Sequence, residues 1–385
     1  MTDIAANPMD SYDLTTETPI NIDTIIKLLN YDELPMLGGT GGDGFSTIAK
    51  SPVDNTIFYW QTQDLPVPRT TVLTALTTTT TALVVAAGAG VSFAVGDAVK
   101  IGDEIVYISA ISTDTLTITR AQAGTSDPGT TYTTGTDVIG LGTFLNEGEI
   151  GTQQFRGRDK HSNYTQIWTS QIDMTRTQQR IPKYGVDSEL GNLVRQVALS
   201  EGQNREQAFL YGDKFQSDPK RMTGGLSYYL TSNVIGNGAS GDWLTVTEIE
   251  KRQQVSYDAG GMFDTIVSRP RNFAALNNAE GAERVRTDWT DEYRGRRRAV
   301  SVVTEFGEVE LYRNRHVKAT DAFGLNREDL SERVFQPMVM QPLAKTDDRD
   351  KWMFVCEGGF QVKGQEHMVY WSGLDNTAAF PSNLA

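Results

Sequence analysis

The sequence predicts an α+β fold, and three observations carry that prediction. From Ser188 onward Leu190, Leu193, Val194, Val197, Ala198, Ala208 and Phe209 recur at helical spacing as far as Tyr211, and Gly212 ends the run. Between about Thr70 and Phe144 the composition turns threonine-rich and β-branched, with short period-two alternations separated by turn residues, the pattern of half-buried strands. After Thr245, helix-like and strand-like runs alternate in short segments, which places helices and sheets side by side in one architecture.

Taken in order, residues 1–44 are polar and glycine-rich, with Ile22, Ile25, Ile26 and Leu29 at helical spacing, and are expected to form an arm with one docking helix. "NTIFYWQTQDLPVPR" follows as a short strand ended by Pro66 and Pro68. Within the β segment, Gly102 and Asp103 sit between Ile101 and Glu104 as a two-residue hairpin turn, because such a turn needs residues that tolerate positive φ. A strand over 104–111 leads through "STD" into "TLTIT", where Leu116 and Ile118 alternate with threonines. Several such hairpins predict a small all-β domain over 70–145 with its own core, inserted into a larger fold.

"NYTQIWTSQIDMTRTQQRI" is expected to be extended throughout. Gly185, Asp187 and Ser188 then offer a turn and an N-cap, with Glu189 in the first turn where the helix dipole favours an anion. The middle of the helix, "SEGQNRE", is polar between apolar ends. That predicts an exposed stretch facing neighbouring subunits, with Leu193 and Val197 packed beneath a sheet. Further on, "TVTEIEKRQQVSYDAGG" predicts a helix and "DTIVSRP" a buried strand. "RNFAALNNAEGAERVRTDW" predicts a helix interrupted by Gly281, "AVSVVTEFGEVELYRNR" a hairpin turning at Phe306 and Gly307, and "KWMFVCEGGFQVKGQEHMVYWSGL" two closing strands.

Composition excludes several classes. The single cysteine, Cys356, rules out an intrachain disulfide framework and lies in an apolar strand, so an inert buried thiol is expected. No basic-then-apolar leader pattern and no long apolar window occurs, which predicts a soluble protein kept in a cytoplasm, with no membrane partner. A net charge of −14 argues against a protein that grips phosphates, and is compatible with one that surrounds DNA without gripping it. "GTGGDG" lacks the flanking strand, helix and lysine of a phosphate loop and is expected to be part of the arm. His161, His316 and His367 are scattered and read as surface or strand residues. Asp97, Asp103, Glu104 and Asp114 are explained by turns, and there is no G-x-S-x-G elbow. The sequence assigns no catalytic, cofactor-binding or metal residue.

The strongest local charge signal is "YRGRRRAV". Arg294, Arg296, Arg297 and Arg298 follow Asp288, Asp291 and Glu292, and salt bridging to the carboxylates of a neighbouring subunit is favoured over a nucleic-acid patch. Glu201 and Arg205 in the polar helix middle join them as expected interface residues, together with Trp60; Trp168, Trp289 and Trp371 read as core or interface anchors.

The segments 45–68 and 147–374 together resemble the major capsid proteins of tailed double-stranded DNA bacteriophages, which share the Hong Kong 97-type fold. The likeness rests on the order of "NYTQIWTSQIDMTRTQQRI", "GVDSELGNLVRQVALSEGQNREQAFLYG", "TGGL", "DTIVSRPRNFAALNN", "VVTEFGEVELYRNR" and "QPMVMQPLAKTDDRDKWMFVCEGGFQVKGQEHMVYW". It implies a spine helix over 186–211 in a peripheral domain formed by 170–244 and 322–385. It also implies an axial domain at 245–321, extended-loop arms at 45–69 and 146–169, and the β domain displayed between those arms. The implied function is a non-enzymatic subunit that self-assembles into pentamers and hexamers of an icosahedral shell around double-stranded DNA. Such a shell would assemble in the bacterial cytoplasm, with portal, scaffolding and cement proteins as further partners. A sequence of this kind also fits a β-rich phage tail or adhesin protein that binds a host surface glycan.

Overall fold

The computed structural model describes residues 34, 36–37, 48–63, 67–125, 131–148, 150, 157–181, 188–236, 243–279, 285–288, 298–345 and 347–374. The chain divides into two compact units, one of residues 1–59 and 162–385, the other of residues 60–161. The expected docking helix at Ile22–Leu29, the "GTGGDG" stretch, Trp289 and Arg294, Arg296 and Arg297 lie outside the described residues.

The larger unit holds two main sheets. In the first, the long hairpin Leu330–Pro342 and Arg349–Val362 is flanked by Ala49–Pro52, parallel to its first strand, and by Gln166–Thr175, antiparallel to its second. Alternation along Gln166–Thr175 turns Trp168, Ile172 and Met174 inward and leaves Ile167, Thr169 and Asp173 exposed, as a sheet covered on one face requires. The covering element is the helix Glu189–Tyr211. Ser188 caps it by accepting the Gly191 N–H at 3.2 Å, and the Gly212 N–H closes it on the Ala208 carbonyl at 2.9 Å. Phe209 is fully buried against Phe360, with ring centroids 4.8 Å apart.

The second sheet has seven strands in the order Val234–Gly236, Val369–Ser372, Ala322–Leu325, Thr265–Ser268, Gly307–Arg313, Arg298–Thr304, Val285–Asp288. The helices Val246–Asp258 and Pro270–Ala279 contribute Val246, Ile249, Phe273 and Leu276 to its core, which also holds Phe263, Ile266, Val302, Leu311 and Trp371. Thr265–Ser268 is buried on both faces, hence its unbroken burial.

"TGGL" has a packing reason. The chain after the long helix returns across its last turn, and the Gly225 N–H meets the Gly212 carbonyl at 2.7 Å. A Cβ on Gly225 would stand 2.5 Å from the carbonyl oxygens of Ala208 and Phe209, so the crossing admits only glycine. Asn163, wholly buried, pins the same crossing. Its amide donates to Thr223 Oγ1 at 3.1 Å and to the carbonyls of Gly224 and Phe360 at 2.9 and 2.6 Å, and its oxygen accepts the N–H groups of Tyr164 and Gly224, each at 2.8 Å.

The smaller unit is built on a six-stranded antiparallel sheet in the order Arg69–Thr71, Asp137–Thr143, Asp97–Ile101, Glu104–Ser112, Thr115–Thr119, Ala82–Val84. Its core has its own buried set, including Val72, Leu76, Leu83, Val85, Phe93, Val99, Ile101, Val106, Ile108, Leu116, Ile118 and Val138. Ile101 pairs with Glu104 across the Gly102 and Asp103 turn, and Gly102 takes φ 57°.

Several sequence expectations are corrected. "TRTQQR" is not extended: Thr175 accepts the Gln178 N–H and starts a short helix, Arg176–Arg180. The second half of "RNFAALNNAEGAERVRTDW" is not helix but the strand Val285–Asp288, paired with Arg298–Thr304. The hairpin there turns at Glu305 and Phe306, since Thr304 pairs with Gly307. His316 is buried rather than a surface residue. Glu104 is not merely a turn residue. It is buried and receives Arg120 on both oxygens, Nε at 3.0 Å from Oε1 and Nη2 at 2.6 Å from Oε2, together with the Ala121 N–H at 2.9 Å. The largest correction concerns the long helix. Its polar middle is the buried part, at Glu201, Gly202 and Glu206, while Leu193 and Val197 are only half-buried. A charge placed at Val197 is therefore not forced into a dry core.

Candidate assembly interface

The middle of the long helix is polar because each buried charge meets a group from another element. Glu201 accepts the Ser170 hydroxyl from the neighbouring strand. Arg205 pairs with Glu332 and lies over the Trp168 ring, 5.9 Å from its centroid. Lys50 approaches the same Glu332 at 3.5 Å; its own burial first, and then Arg205, hold its pKa below the ordinary lysine value. Glu206 accepts from Asn314 Nδ2 at 2.8 Å. Gly202 leaves a notch filled by Leu34, where a Cβ would come within 2.5 Å of Leu34 Cδ1. Helical periodicity counts these side chains as surface, and only their distant partners show otherwise.

The structure thus brings Glu201 and Arg205 together on one helix, but engages both inside their own subunit. Trp60 belongs to the smaller unit, where it is buried and stacked on His161 with ring centroids 5.9 Å apart; His161 Nε2 lies 3.0 Å from Thr62 Oγ1. Arg298 opens the strand Arg298–Thr304, opposite Asp288 in the backbone register.

Two features absent from the sequence reading do face outward. The exposed end of the long hairpin carries a lattice of ion pairs, Arg349 with Asp173 at 3.2 Å, Arg176 with Asp348 at 3.1 Å, Lys345 with Asp350 at 2.5 Å and Lys351 with Asp347 at 3.4 Å. Singly, exposed pairs of this kind contribute at most about 1 kcal/mol, so their use lies in specificity rather than in holding the subunit together. The only sequence signal was the charge density of "KTDDRDK". The second feature is a groove of about 440 Å³ lined by Thr165, Ile167, Phe215, Pro219, Lys220, Arg221 and Met222. Ile167, Phe215 and Met222 expose apolar surface there, and Arg221 is tied down by Glu357 at 3.0 Å.

No group of three or more His, Cys, Asp or Glu side chains among the described residues is placed to hold a metal ion, and no described helix is long and apolar enough to cross a membrane. Cys356 is buried, which pushes its thiol pKa up and away from the reactive thiolate. What the arrangement offers is fixed charge and apolar surface on a rigid double-sheet frame, the chemistry of recognition between subunits.

Comparison with known proteins bears directly on this frame. The family model of the SU10 major capsid protein matches residues 8–375. Among solved structures, a chain of Microbacterium phage Oxtober96 is similar with a TM-score of 0.50 at 9% identity, covering 95% of this chain and 99% of that one. A chain of Mycobacterium phage Cain gives 0.49 at 10% identity, with 97% and 100% covered, and the capsid of an empty GTA particle gives 0.47 at 9% identity, with 95% and 98% covered. No curated protein matches. Because the family match runs through both units of the chain rather than over one of them, the protein belongs to the SU10 major capsid protein family and is a capsid shell subunit with the Hong Kong 97-type α+β fold.

Proposed function

We propose that this subunit self-assembles into pentamers and hexamers that close an icosahedral shell around the double-stranded DNA of a tailed bacteriophage, with no catalytic role. The observation that carries the reading is the family match over 8–375. Identical chains making head-to-tail contacts close into rings, and such obligate rings need interfaces on the order of 2,000 Å² or more. In this reading the long helix is the spine of a peripheral domain, and residues 245–321, with most of the seven-stranded sheet, form an axial domain at the ring centre. The six-stranded β unit is an insertion displayed between extended-loop arms. The net charge of −14 keeps packaged DNA from sticking to the wall by like-charge repulsion. Assembly takes place in the host cytoplasm, and portal, scaffolding and cement proteins are the further partners that such a shell would use. A tail or adhesin role is not favoured, since the match is to a capsid family through both units.

The arginine run tests this reading. Arg296, Arg297 and Arg298, with Arg294, are placed by it at the ring centre against carboxylates of the next subunit. Reversing all three to glutamate is expected to shift sedimentation from rings and shells to smaller species. The wild-type contacts should in turn weaken as salt shortens the screening length to about 3 Å near 1 M. Unchanged assembly with altered DNA retention would transfer the run to the nucleic acid.

A further inference from the structure

We propose that Glu206 is a proton-operated latch that ties the segment Leu34–Leu37 to the middle of the long helix. The Glu206 side chain is wholly buried. One carboxylate oxygen accepts from Asn314; the other has no hydrogen bond and is acted on only by the backbone N–H groups of Met36 and Leu37. Met36 is itself fully buried and Leu37 nearly so, the Met36 carbonyl receives the Ile48 N–H at 3.4 Å, and Leu34 fills the notch above Gly202, one turn before Glu206. The segment thus forms one wall of the carboxyl's pocket.

The charged and titratable groups on the surrounding elements are all committed elsewhere. On the same helix, Arg205 is paired with Glu332, Glu201 holds the Ser170 hydroxyl, and the Tyr211 hydroxyl donates to Asp321 at 3.0 Å. From the first sheet, Glu332 faces Arg205 and Lys50. From the loop after Gly307–Arg313, Asn314 donates to Glu206 while its own oxygen accepts the His316 N–H at 2.7 Å, and Arg313 lies over the Phe273 ring. None of them brings a positive charge to Glu206. Burial accordingly pushes its carboxyl from the ordinary 4.5 up to about 7, against the opposing pull of the Asn314 amide and the two N–H groups.

The sign follows from the raised value. The protonated, docked form has its full advantage below the ordinary carboxylate value and loses it as pH rises through about 7. Above that, a carboxylate without a counter-ion sits in a dry pocket, and the route to hydration that leaves helix and sheets intact is release of the short segment.

Hydrogen exchange at the Met36 and Leu37 amides of the full chain, corrected for intrinsic rates, reads the latch. In the wild type, protection is expected to fall by up to about tenfold for each pH unit above about 7, while E206Q shows no such fall. Equal protection on both sides of neutrality in the wild type, or an undiminished fall in E206Q, overturns the proposal. Where E206Q does not fold, infrared difference spectra of the wild type decide: a protonated-carboxyl band that disappears around neutral pH supports the latch, and its absence overturns it.

Discussion

Replacing Asn163 by alanine is expected to destabilise the larger unit by about 3–5 kcal/mol, read as a lower denaturant midpoint with an unchanged slope. The side chain makes five hydrogen bonds in a fully buried site, three donated and two accepted. Alanine leaves the carbonyls of Gly224 and Phe360 and the N–H groups of Tyr164 and Gly224 without this partner. Each buried group left unpaired costs about 1–3 kcal/mol, and partial relaxation brings the sum down to the stated range. Asn163→Asp keeps the size and both accepted bonds but loses the donors, so it is expected to fall between alanine and wild type. A loss below about 1 kcal/mol for alanine would mean that the glycine crossing holds without its pin.

The second large effect lies in the smaller unit. Arg120→Leu strands the Glu104 carboxylate in a site that exposes 1% of the residue, and breaking a buried pair in this way costs about 3–5 kcal/mol. Arg120 also donates to the Thr77 carbonyl at 2.6 Å and lies 5.8 Å from the Tyr132 ring centroid, so its loss loosens three strand connections together. The double variant Glu104→Leu/Arg120→Leu is expected to recover much of the loss, because no orphan charge remains. In the wild type, burial alone would raise the Glu104 pKa, but the bonds from Arg120 and Ala121 outweigh it and hold the carboxyl below its ordinary value. The pair therefore stabilises the unit above the ordinary carboxylate range, and that contribution is lost as pH falls through the lower folded value. Circular dichroism melts across that range check the sign.

What was legible in the sequence was local. The cap at Ser188, the stop at Gly212 and the two-residue turn at Gly102 and Asp103 depend on neighbours a few positions away, and the structure places each of them as read. The strands "TLTIT" and "DTIVS" announce themselves by side-chain type and appear at Thr115–Thr119 and Thr265–Ser268. The polar middle of the long helix misled because hydrophobic periodicity treats a charge as exposed. Glu201 finds Ser170 31 positions away and Glu206 finds Asn314 108 positions away, and no single-segment pattern carries such pairings. Glu104 was read as a turn residue for the same reason: its partner Arg120 lies two strands further on. Of the residues expected at subunit contacts, Glu201, Arg205 and Trp60 turned out to be engaged within the chain, whereas the charged hairpin end and the groove at Ile167, Phe215 and Met222 drew no attention because nothing in their spacing is periodic.

The most direct test of the shell reading is negative-stain electron microscopy of the full chain produced alone. Rings of five and six subunits and closed particles are the predicted result, since the contacts that close a shell reside in this one chain. A population consisting only of monomers or trimers, under conditions where the chain is folded, would contradict it.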